Sequence, residues 1–223
     1  MKNFAFIFAR GGSKRIKNKN LQKIKNKTLL EITINQAKKI NKIHKIFLST
    51  DSKKIASSIK NENIEIIMRP KFLAKDNSSE WHSWQHAIKQ VKKKYDFEKF
   101  ICLPVTSPLR ATKDILNCIN KLDDKNDMVI TIQKTERNPW FNMVKTKNKN
   151  FFEVVNFSRE FVDIRQKAPI VYDMTTVCYV TRPDYVLKNR SIFSGKVGAV
   201  IIPQNRALDI DTNFDLKVAR LLY

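Results

Sequence analysis

A glycine pair followed by a cluster of cationic side chains is the strongest chemical signal in the chain. Residues 9–20 read Ala-Arg-Gly-Gly-Ser-Lys-Arg-Ile-Lys-Asn-Lys-Asn and overlap the end of the apolar run Phe4–Ala9, which predicts a buried first strand. Glycine lets the backbone turn tightly and lets N–H groups approach oxygen atoms closely. The side chains that could neutralise an anion are Arg10, Lys14, Arg15 and Lys19. The loop therefore predicts a polyphosphate site. The absence of G-x-x-x-x-G-K-S/T and G-x-G-x-x-G argues against an ordinary NTPase or a dinucleotide dehydrogenase.

Two aspartates near the carboxyl end of the chain could hold a cation. Asp209 and Asp211 flank Ile210, and residues i and i+2 of an extended segment point to the same side. Both carboxylates would then face one ion, with Ile210 turned into the core. Mg²⁺ is typically held by one or two carboxylates together with substrate phosphates and water. The alternative, in which Asp211 or Thr212 only caps the following helix, stays open on this pattern alone.

Length and composition limit the class of protein. The chain has 223 residues, of which 42% are hydrophobic, enough for one α/β domain with a small elaboration. Its apolar runs fall short of the ~20 residues of a membrane span, and the sequence starts in a strand rather than in a signal peptide. The cysteines Cys102, Cys118 and Cys178 are widely spaced, as expected of buried reduced thiols. We therefore expect a cytoplasmic protein without a membrane contact.

The strong positive charge is distributed along the chain. The formal net charge is +22, and the lysines are mixed with Asn and Ile residues over the whole length. This distribution favours a general compositional bias over a dedicated nucleic-acid surface, so no nucleic-acid partner is expected. The positive field would still attract a small polyanion.

Strand and helix signals alternate along most of the chain. The predicted strands are Phe4–Ala9, Lys45–Ser49, Ile64–Met68, Phe100–Leu103, Met128–Gln133, Val177–Thr181 and Val197–Ile202. The predicted helices are Leu29–Ile40, Lys53–Lys60, Glu80–Tyr95, one from its cap Thr112 to Leu122, and a final one that is capped by Thr212 with Asp215 and ends at Leu222. This order predicts a Rossmann-like α/β fold with a mostly parallel sheet between two helical layers. We assign one domain, 1–223, in which the polar and aromatic segment 135–175 is an inserted subdomain.

Polar groups follow the predicted strands at one edge of the sheet. The loop 10–20 follows the first strand, Ser49–Asp51 ends the second, Arg69-Pro70 follows the third and Thr106–Arg110 comes after the fourth. In open α/β sheets, ligands bind beyond the carboxyl ends of the strands. This convergence predicts one site at that edge. For Ser49–Asp51, a cap of the next helix is the first interpretation.

Five short motifs occur in order over essentially the whole chain. They are A-R-G-G-S-K-R-x-x-x-K-N at 9–20, R-P at 69–70, T-S-P-L-R at 106–110, R-Q-x-x-P at 165–169 and D-I-D-T at 209–212. Together they resemble the acylneuraminate cytidylyltransferase family. The resemblance implies a homodimeric nucleotidyltransferase that transfers CMP from CTP to the anomeric hydroxyl of a nonulosonic, sialic-acid-like 2-keto sugar acid and releases pyrophosphate. Segment 135–175 would supply the dimer contacts and the acceptor side.

The resemblance also implies roles for individual residues. The nucleotide would be bound by Arg10, Gly11, Gly12, Ser13, Lys19, Asn20, Arg69, Ser78 and Ser79. The acceptor would be bound by Pro104, Thr106, Ser107, Arg110, Arg165, Gln166, Thr175 and Tyr179. Asp209 and Asp211 would hold Mg²⁺, the implied cofactor, and the catalytic residues would be Arg10, Lys19 and Asp211.

Three places depart from the family pattern. Lys17 stands where the family usually has Pro, Pro104 where many sialic acid members have Gln, and Thr175-Thr176 where those members have Asn-Gly. The nucleotide side is kept while the acceptor side differs, so a legionaminic-type nonulosonate fits at least as well as N-acetylneuraminate. A 3-deoxy-octulosonate or a non-sugar acid is the alternative acceptor. A non-catalytic basic module that binds nucleic acid is a distant alternative.

Overall fold

The computed structural model describes residues 2–59, 63–156, 162 and 164–223, which contain eleven strands and six α-helices. The strands are β1 (Asn3–Phe8), β2 (Lys23–Ile24), β3 (Lys27–Thr28), β4 (Lys45–Thr50), β5 (Ile64–Met68), β6 (Lys99–Cys102), β7 (Met128–Lys134), β8 (Val144–Asn148), β9 (Phe151–Val154), β10 (Tyr172–Thr181) and β11 (Val197–Ile201). The helices are α1 (Leu29–Lys38), α2 (Lys53–Ser58), α3 (Glu80–Lys92), α4 (Thr112–Lys121), α5 (Pro183–Lys188) and α6 (Asn213–Leu222).

Seven of the strands form one sheet in the order β11-β7-β10-β6-β1-β4-β5. β10 runs antiparallel to its neighbours β6 and β7, and the other neighbouring pairs are parallel. The amino end of β10 lies at the edge where the parallel strands end, because Tyr172 pairs with Lys134 at the end of β7. The predicted mostly parallel sheet is confirmed, and its carboxyl edge is where a ligand site is expected.

Apolar side chains cover both faces of this sheet. Successive residues of a strand point to opposite faces. Ala5 and Ile7 of β1 belong to the cluster that includes residues of α1, α4 and α6, whereas Phe4 and Phe6 belong to an aromatic cluster that includes residues of α3 and α5. The predicted arrangement of two helical layers around the sheet is therefore confirmed.

Helix capping agrees with the prediction at α6 and differs at α4. Thr212 and Asp215 form a capping box, in which the Asp215 N–H donates to Thr212 Oγ1 at 3.2 Å. At α4 the predicted cap, Thr112, is the first helical residue, and Ala111 takes the N-cap position. The Asp114 carboxylate accepts the Ala111 N–H at 2.9 Å, so an acid in the first turn replaces the missing hydroxyl cap.

Several element boundaries differ from the prediction. α3 ends at Lys92, before Tyr95, and the predicted helix end at Lys60 falls outside the described residues. The hairpin β2–β3 and helix α5 carry no periodic signal, because two-residue strands and a six-residue helix are too short to show one.

The segment 135–175 contributes a separate hairpin made of β8 and β9. Every residue of both strands is exposed, including Phe151 and Phe152 at 64% and 67%. Residues 172–175 belong to β10 and hence to the main sheet. A lone two-stranded hairpin is at best marginally stable in water, which makes this apolar surface a candidate interface.

The cysteines match the expectation of buried thiols. Cys102, Cys118 and Cys178 are buried and free. In the part of the chain that the structure describes, no helix has the length and apolar character needed to cross a membrane.

Candidate active site

A cleft of about 570 Å³ opens where β1, β5 and β6 end. Nine of the predicted site residues line it: Arg10, Ser13, Lys19, Asn20, Arg69, Ser78, Pro104, Thr106 and Asp211. The other lining residues are Phe8, Lys14, Arg15, Ile16, Leu73, Lys75, Asp76, Glu80, Ser83, Val105 and Thr176. Six cationic side chains and three carboxylates thus face this space, which gives it the positive balance expected of a polyanion site.

Asp76 bridges two cations of the loop 10–20. Arg10 Nη1 donates to Asp76 Oδ1 at 2.9 Å, and Lys14 Nζ lies 2.6 Å from Asp76 Oδ2. The ammonium of Lys14 and the guanidinium of Arg10 lower the pKa of the Asp76 carboxyl. Asp76 therefore neutralises two cations that the sequence predicts as phosphate ligands.

Lys19 makes the corresponding contact on the other side of the loop. Its Nζ donates to Ile210 O at 2.8 Å and to Asp211 Oδ1 at 3.0 Å, and Arg15 Nη1 lies 3.6 Å from Asp211 Oδ2. Asn20 Nδ2 donates to the carbonyl of Arg10 at 2.9 Å, which closes the loop on itself. The amino and carboxyl ends of the domain therefore meet at this cleft.

Gly11 is required by close packing. A Cβ atom at Gly11 would lie 2.9 Å from Cβ of Ser52, whereas Gly12 has open space around it. Neither glycine has a positive φ, and the left-handed residue of the loop is Asn18, with φ 53°. The Gly11 N–H donates to Asp51 Oδ1 at 3.0 Å, and Ser52 rather than Asp51 caps α2. The capping role predicted for Ser49–Asp51 is therefore wrong, and the Asp51 side chain holds the loop against the end of β4.

Arg69 is the buried cation of the cleft. It is 7% exposed, its Nη2 lies 3.9 Å from Asp51 Oδ1, and its Nε has no hydrogen-bond partner. Burial lowers the pKa of Arg69, and the charges of Asp51 and Glu80 oppose this shift. A buried donor without a partner costs about 1–3 kcal/mol, so the site favours a ligand that brings an acceptor.

The serines that follow Arg69 have different places. Ser78 lines the cleft, and its hydroxyl donates to the carbonyl of Phe72. Ser79 is the N-cap of α3, where its hydroxyl accepts the Trp81 N–H at 3.2 Å, and it does not line the cleft. Ser79 therefore orients the helix that borders the site.

The two aspartates of 209–212 lie in neighbouring spaces. Ile210 is fully buried between them, as predicted, while Asp211 lines the cleft and Asp209 lines an adjoining cavity of about 290 Å³. Asp209 Oδ1 is buried and has no hydrogen-bond partner. The predicted shared direction of the two carboxylates is thus not seen, but a buried carboxylate oxygen without a partner has the chemistry of a ligand for a hard cation such as Mg²⁺. Within residues 2–59, 63–156, 162 and 164–223, no three His, Cys, Asp or Glu side chains cluster.

The adjoining cavity is rich in hydroxyl and amide groups. It is lined by Gln133, Met174, Thr175, Thr176, Gln204, Ala207, Leu208 and Asp209, and Thr176 also lines the cleft. The hydroxyls of Ser107 and Thr176 lie 2.7 Å apart, and buried Thr175 donates to Thr131 Oγ1 at 2.8 Å. Such groups can both donate and accept, which suits a polyhydroxylated ligand.

Arg110 lies beneath the cleft and supports it. Its guanidinium donates to the carbonyls of Ser107 at 2.7 Å and Val177 at 2.8 Å, and also to the carbonyl of Pro104. Burial lowers the pKa of Arg110 to about 10, which leaves the group charged at neutral pH. In this chain Arg110 therefore ties the segment after β6 to β10 and does not reach the cleft.

Three further predicted acceptor residues lie outside the cleft. Arg165 and Gln166 form an exposed turn, in which Arg165 Nη1 donates to Glu136 Oε2 at 2.6 Å. Tyr179 is buried, with its ring 5.5 Å from that of Trp84, and burial raises its pKa. A single chain thus does not bring these side chains into the cleft.

Comparison with known proteins identifies the family. Residues 4–189 match the sequence profile of the Cytidylyltransferase family. The chain belongs to this family. A "CMP-N,N'-diacetyllegionaminic acid synthase" from Campylobacter jejuni is 33% identical to this cytidylyltransferase over 220 residues, which are 97% of this chain and 92% of the relative. The "Post-translational flagellin modification protein B" of Campylobacter coli is 32% identical with the same coverage. The resemblance to the nonulosonate cytidylyltransferases is confirmed, and the chain is a nucleotidyltransferase.

Solved structures confirm the fold of the cytidylyltransferase. A "CMP:2-keto-3-deoxy-manno-octonic acid synthetase complexed with CTP" superposes with a TM-score of 0.71 at 17% identity, covering 100% of this chain and 98% of that one. The 2-C-methyl-D-erythritol 4-phosphate cytidylyltransferase of Francisella tularensis has a TM-score of 0.67 at 15% identity and covers both chains fully. At these identities the comparison establishes the nucleotidyltransferase fold alone.

Two carboxylates of the cytidylyltransferase cleft carry no signal in the sequence. Asp76 and Glu80 lie between Arg69 and the body of α3, and single acids in this region show no characteristic spacing. Contact geometry identifies Asp76, through its two loop cations. Glu80 is distinguished by its position on the wall of the cleft.

Proposed function

We propose that this cytidylyltransferase transfers CMP from CTP to the anomeric hydroxyl of a nonulosonic 2-keto sugar acid. The observation that carries the proposal is the joining of two spaces: a cleft lined by the cationic loop 10–20 and the buried donor Arg69, and a cavity of hydroxyl and amide groups that shares Thr176 with it. The first space suits a nucleoside triphosphate, and the second suits a sugar.

The reaction requires positioning and charge neutralisation. The acceptor hydroxyl oxygen bonds to the α-phosphorus, the bond from that phosphorus to the bridging oxygen breaks, pyrophosphate leaves, and the hydroxyl proton passes to solvent. Negative charge develops on the phosphate oxygens, where Arg10 and Lys19 would stabilise it. Asp209 and Asp211 would hold Mg²⁺, which would supply further positive charge beside the reacting phosphate.

The sequence departs from the family pattern on the acceptor side, and two relatives support one class of acceptor. The 33% and 32% identical relatives cover nearly the whole chain, and the first is named for N,N'-diacetyllegionaminic acid. A legionaminic-type nonulosonate is therefore the proposed acceptor. We further infer a role in the cytoplasm, where buried thiols stay reduced, in supplying a CMP-activated sugar for cell-surface glycan biosynthesis.

Pyrophosphate release in the presence of CTP, Mg²⁺ and defined acceptors tests this function. We expect turnover with N,N'-diacetyllegionaminate that depends on all three components and yields the CMP-sugar by mass spectrometry. N-acetylneuraminate and 3-deoxy-octulosonate serve as comparison acceptors. Preferential use of 3-deoxy-octulosonate or of a non-sugar acid would replace the acceptor assignment. Consumption of another nucleotide, with no use of CTP, would contradict the proposed reaction.

We also infer that two copies of the chain assemble through the hairpin β8–β9. Its exposed phenylalanines lie in the same segment as Arg165 and Gln166, which the fold leaves outside their own cleft. A second copy would cover the apolar surface and place this segment near its partner's site. The absence of any other cover among the described residues supports the inference.

Replacing Phe152 with aspartate is expected to separate the dimer. Buried apolar area at the interface would be exchanged for a desolvated charge, so sedimentation should shift from twice the chain mass towards the 26.1 kDa of one chain. Phe193→Asp, at a site of nearly equal exposure outside the hairpin, is the matched control and should leave the mass unchanged. A wild-type protein that sediments as a single chain would refute the assembly.

A further inference from the structure

Among the described residues that line the cleft, Glu80 is the carboxylate without an ion-pair partner. Asp76 pairs with Arg10 and Lys14, and Asp211 pairs with Lys19 and Arg15. In the described part of the chain, no cation lies within ion-pair distance of Glu80, although its side chain lines the same cleft. Asp76 and Asp211 therefore have a role as partners of the loop cations, whereas these ion pairs give Glu80 no role.

The surroundings of Glu80 keep its carboxyl group at the wall of the cleft. It is the first residue of α3, directly after the N-cap Ser79, so the start of the helix favours its ionised form. Burial among protein atoms raises the pKa of Glu80, while the Trp84 indole and the Arg69 guanidinium oppose the shift. The residue as a whole is exposed and its side chain lines the cleft, which places it where a ligand in the cleft would lie.

This end of the cleft has the composition of a base-binding site. Phe8 and Leu73 are among the apolar side chains that line the cleft, where they could pack against a base. Arg69 can only donate hydrogen bonds, and its Nε is buried without a partner. An ionised Glu80 can only accept them. The cations Arg10 and Lys19, which suit phosphate, belong to the loop after β1, whereas Arg69 and Glu80 flank the segment that leads into α3.

We propose that Glu80 accepts a hydrogen bond from the exocyclic amino group of cytosine and thereby selects CTP over UTP. The inference rests on the proposed function and deepens it. Cytosine offers a carbonyl oxygen, which matches Arg69, and an amino group, which matches Glu80. Uracil has a second carbonyl where cytosine has the amine, so its oxygen would face the carboxylate and repel it. CTP is then preferred over UTP because the second carbonyl of uracil would be left unpaired and repelled by Glu80. The size of the base plays no part in this preference.

Exchanging the carboxylate for an amide tests this assignment directly. Glu80→Gln keeps the shape of the side chain and adds a donor that can pair with the uracil carbonyl. We expect the ratio of kcat/KM for CTP to that for UTP to fall about 100-fold. Part of this fall should come from a higher kcat/KM for UTP. Glu65→Gln on β5, an acid-to-amide change outside the cleft, is the control and should leave the ratio unchanged. Glu80→Ala removes the carboxylate without adding a donor and should also lower the ratio.

Binding measurements separate this inference from the proposed function. Calorimetric titration of CTP and UTP without an acceptor should show the same loss of preference in Glu80→Gln. If the wild type uses no CTP with any sugar acid, the proposed function fails. If the wild type uses CTP and Glu80→Gln keeps the wild-type CTP-to-UTP ratio, the role of Glu80 is refuted. An equal loss with both nucleotides would likewise overturn it, because a group that acts only on catalysis or on the metal does not distinguish the bases.

Discussion

Replacing Lys19 with methionine is expected to lower kcat/KM for CTP about 100- to 1,000-fold, the range measured when one preorganised charge-stabilising donor is removed. Lys19 Nζ is held by Ile210 O and Asp211 Oδ1, at 2.8 and 3.0 Å, so the cation is fixed before the nucleotide arrives. Methionine keeps the length and apolar stem of lysine but loses the charge. Pyrophosphate release with CTP and the sugar acid measures the effect.

The matched control for Lys19 is another lysine outside the cleft. Lys27→Met, in the exposed strand β3, removes the same charge from the chain and should change kcat/KM by less than about twofold, because a screened distant charge contributes little. Melting curves should show both variants folded. Wild-type turnover in a folded Lys19→Met protein would contradict the role of this side chain in the triphosphate site.

The part of the site that the sequence predicts best is the loop 10–20. Its residues are contiguous, they follow a strongly apolar strand, and a parallel sheet brings the ends of its strands to one edge. These three local facts suffice to predict both the sheet and the place of the cleft. The same facts do not predict which residues hold the loop in place. Gly11, after β1, packs against Ser52, after β4, and no local pattern links these two positions.

The rest of the site depends on contacts that no short pattern encodes. The i, i+2 spacing of Asp209 and Asp211 predicts that their side chains point in one direction. In the structure Asp211 lines the cleft and pairs with Lys19, whereas Asp209 lines the adjoining cavity. The motif that contains Arg110 gives no sign that this side chain is turned inward onto carbonyls of β10 and its own segment. Asp76 and Glu80 become visible only when the cleft is assembled in three dimensions.

Removing the guanidinium of Arg110 is expected to destabilise this edge of the sheet strongly. Arg110 is 3% exposed and donates to the carbonyls of Ser107, Val177 and Pro104. Arg110→Met fills much of the same volume, but each of the three carbonyl groups would lose its hydrogen bond from Arg110 in a buried environment. We expect the free energy of unfolding to fall by about 3–5 kcal/mol, measured by urea titration monitored by circular dichroism.

Two comparisons show whether this loss comes from the buried hydrogen bonds. Arg110→Lys keeps the charge but has one nitrogen in place of a planar fork, so it should recover only part of the stability. Arg190→Met, at an exposed position, removes the same group from the surface and should change the free energy of unfolding by less than about 0.5 kcal/mol. Because Arg110 holds the segment that carries Pro104 and Thr106 at the mouth of the cleft, the folded fraction of Arg110→Lys should also show a raised KM for the acceptor. An Arg110→Met protein as stable as the wild type would mean that β10 and the segment after β6 hold together without this side chain.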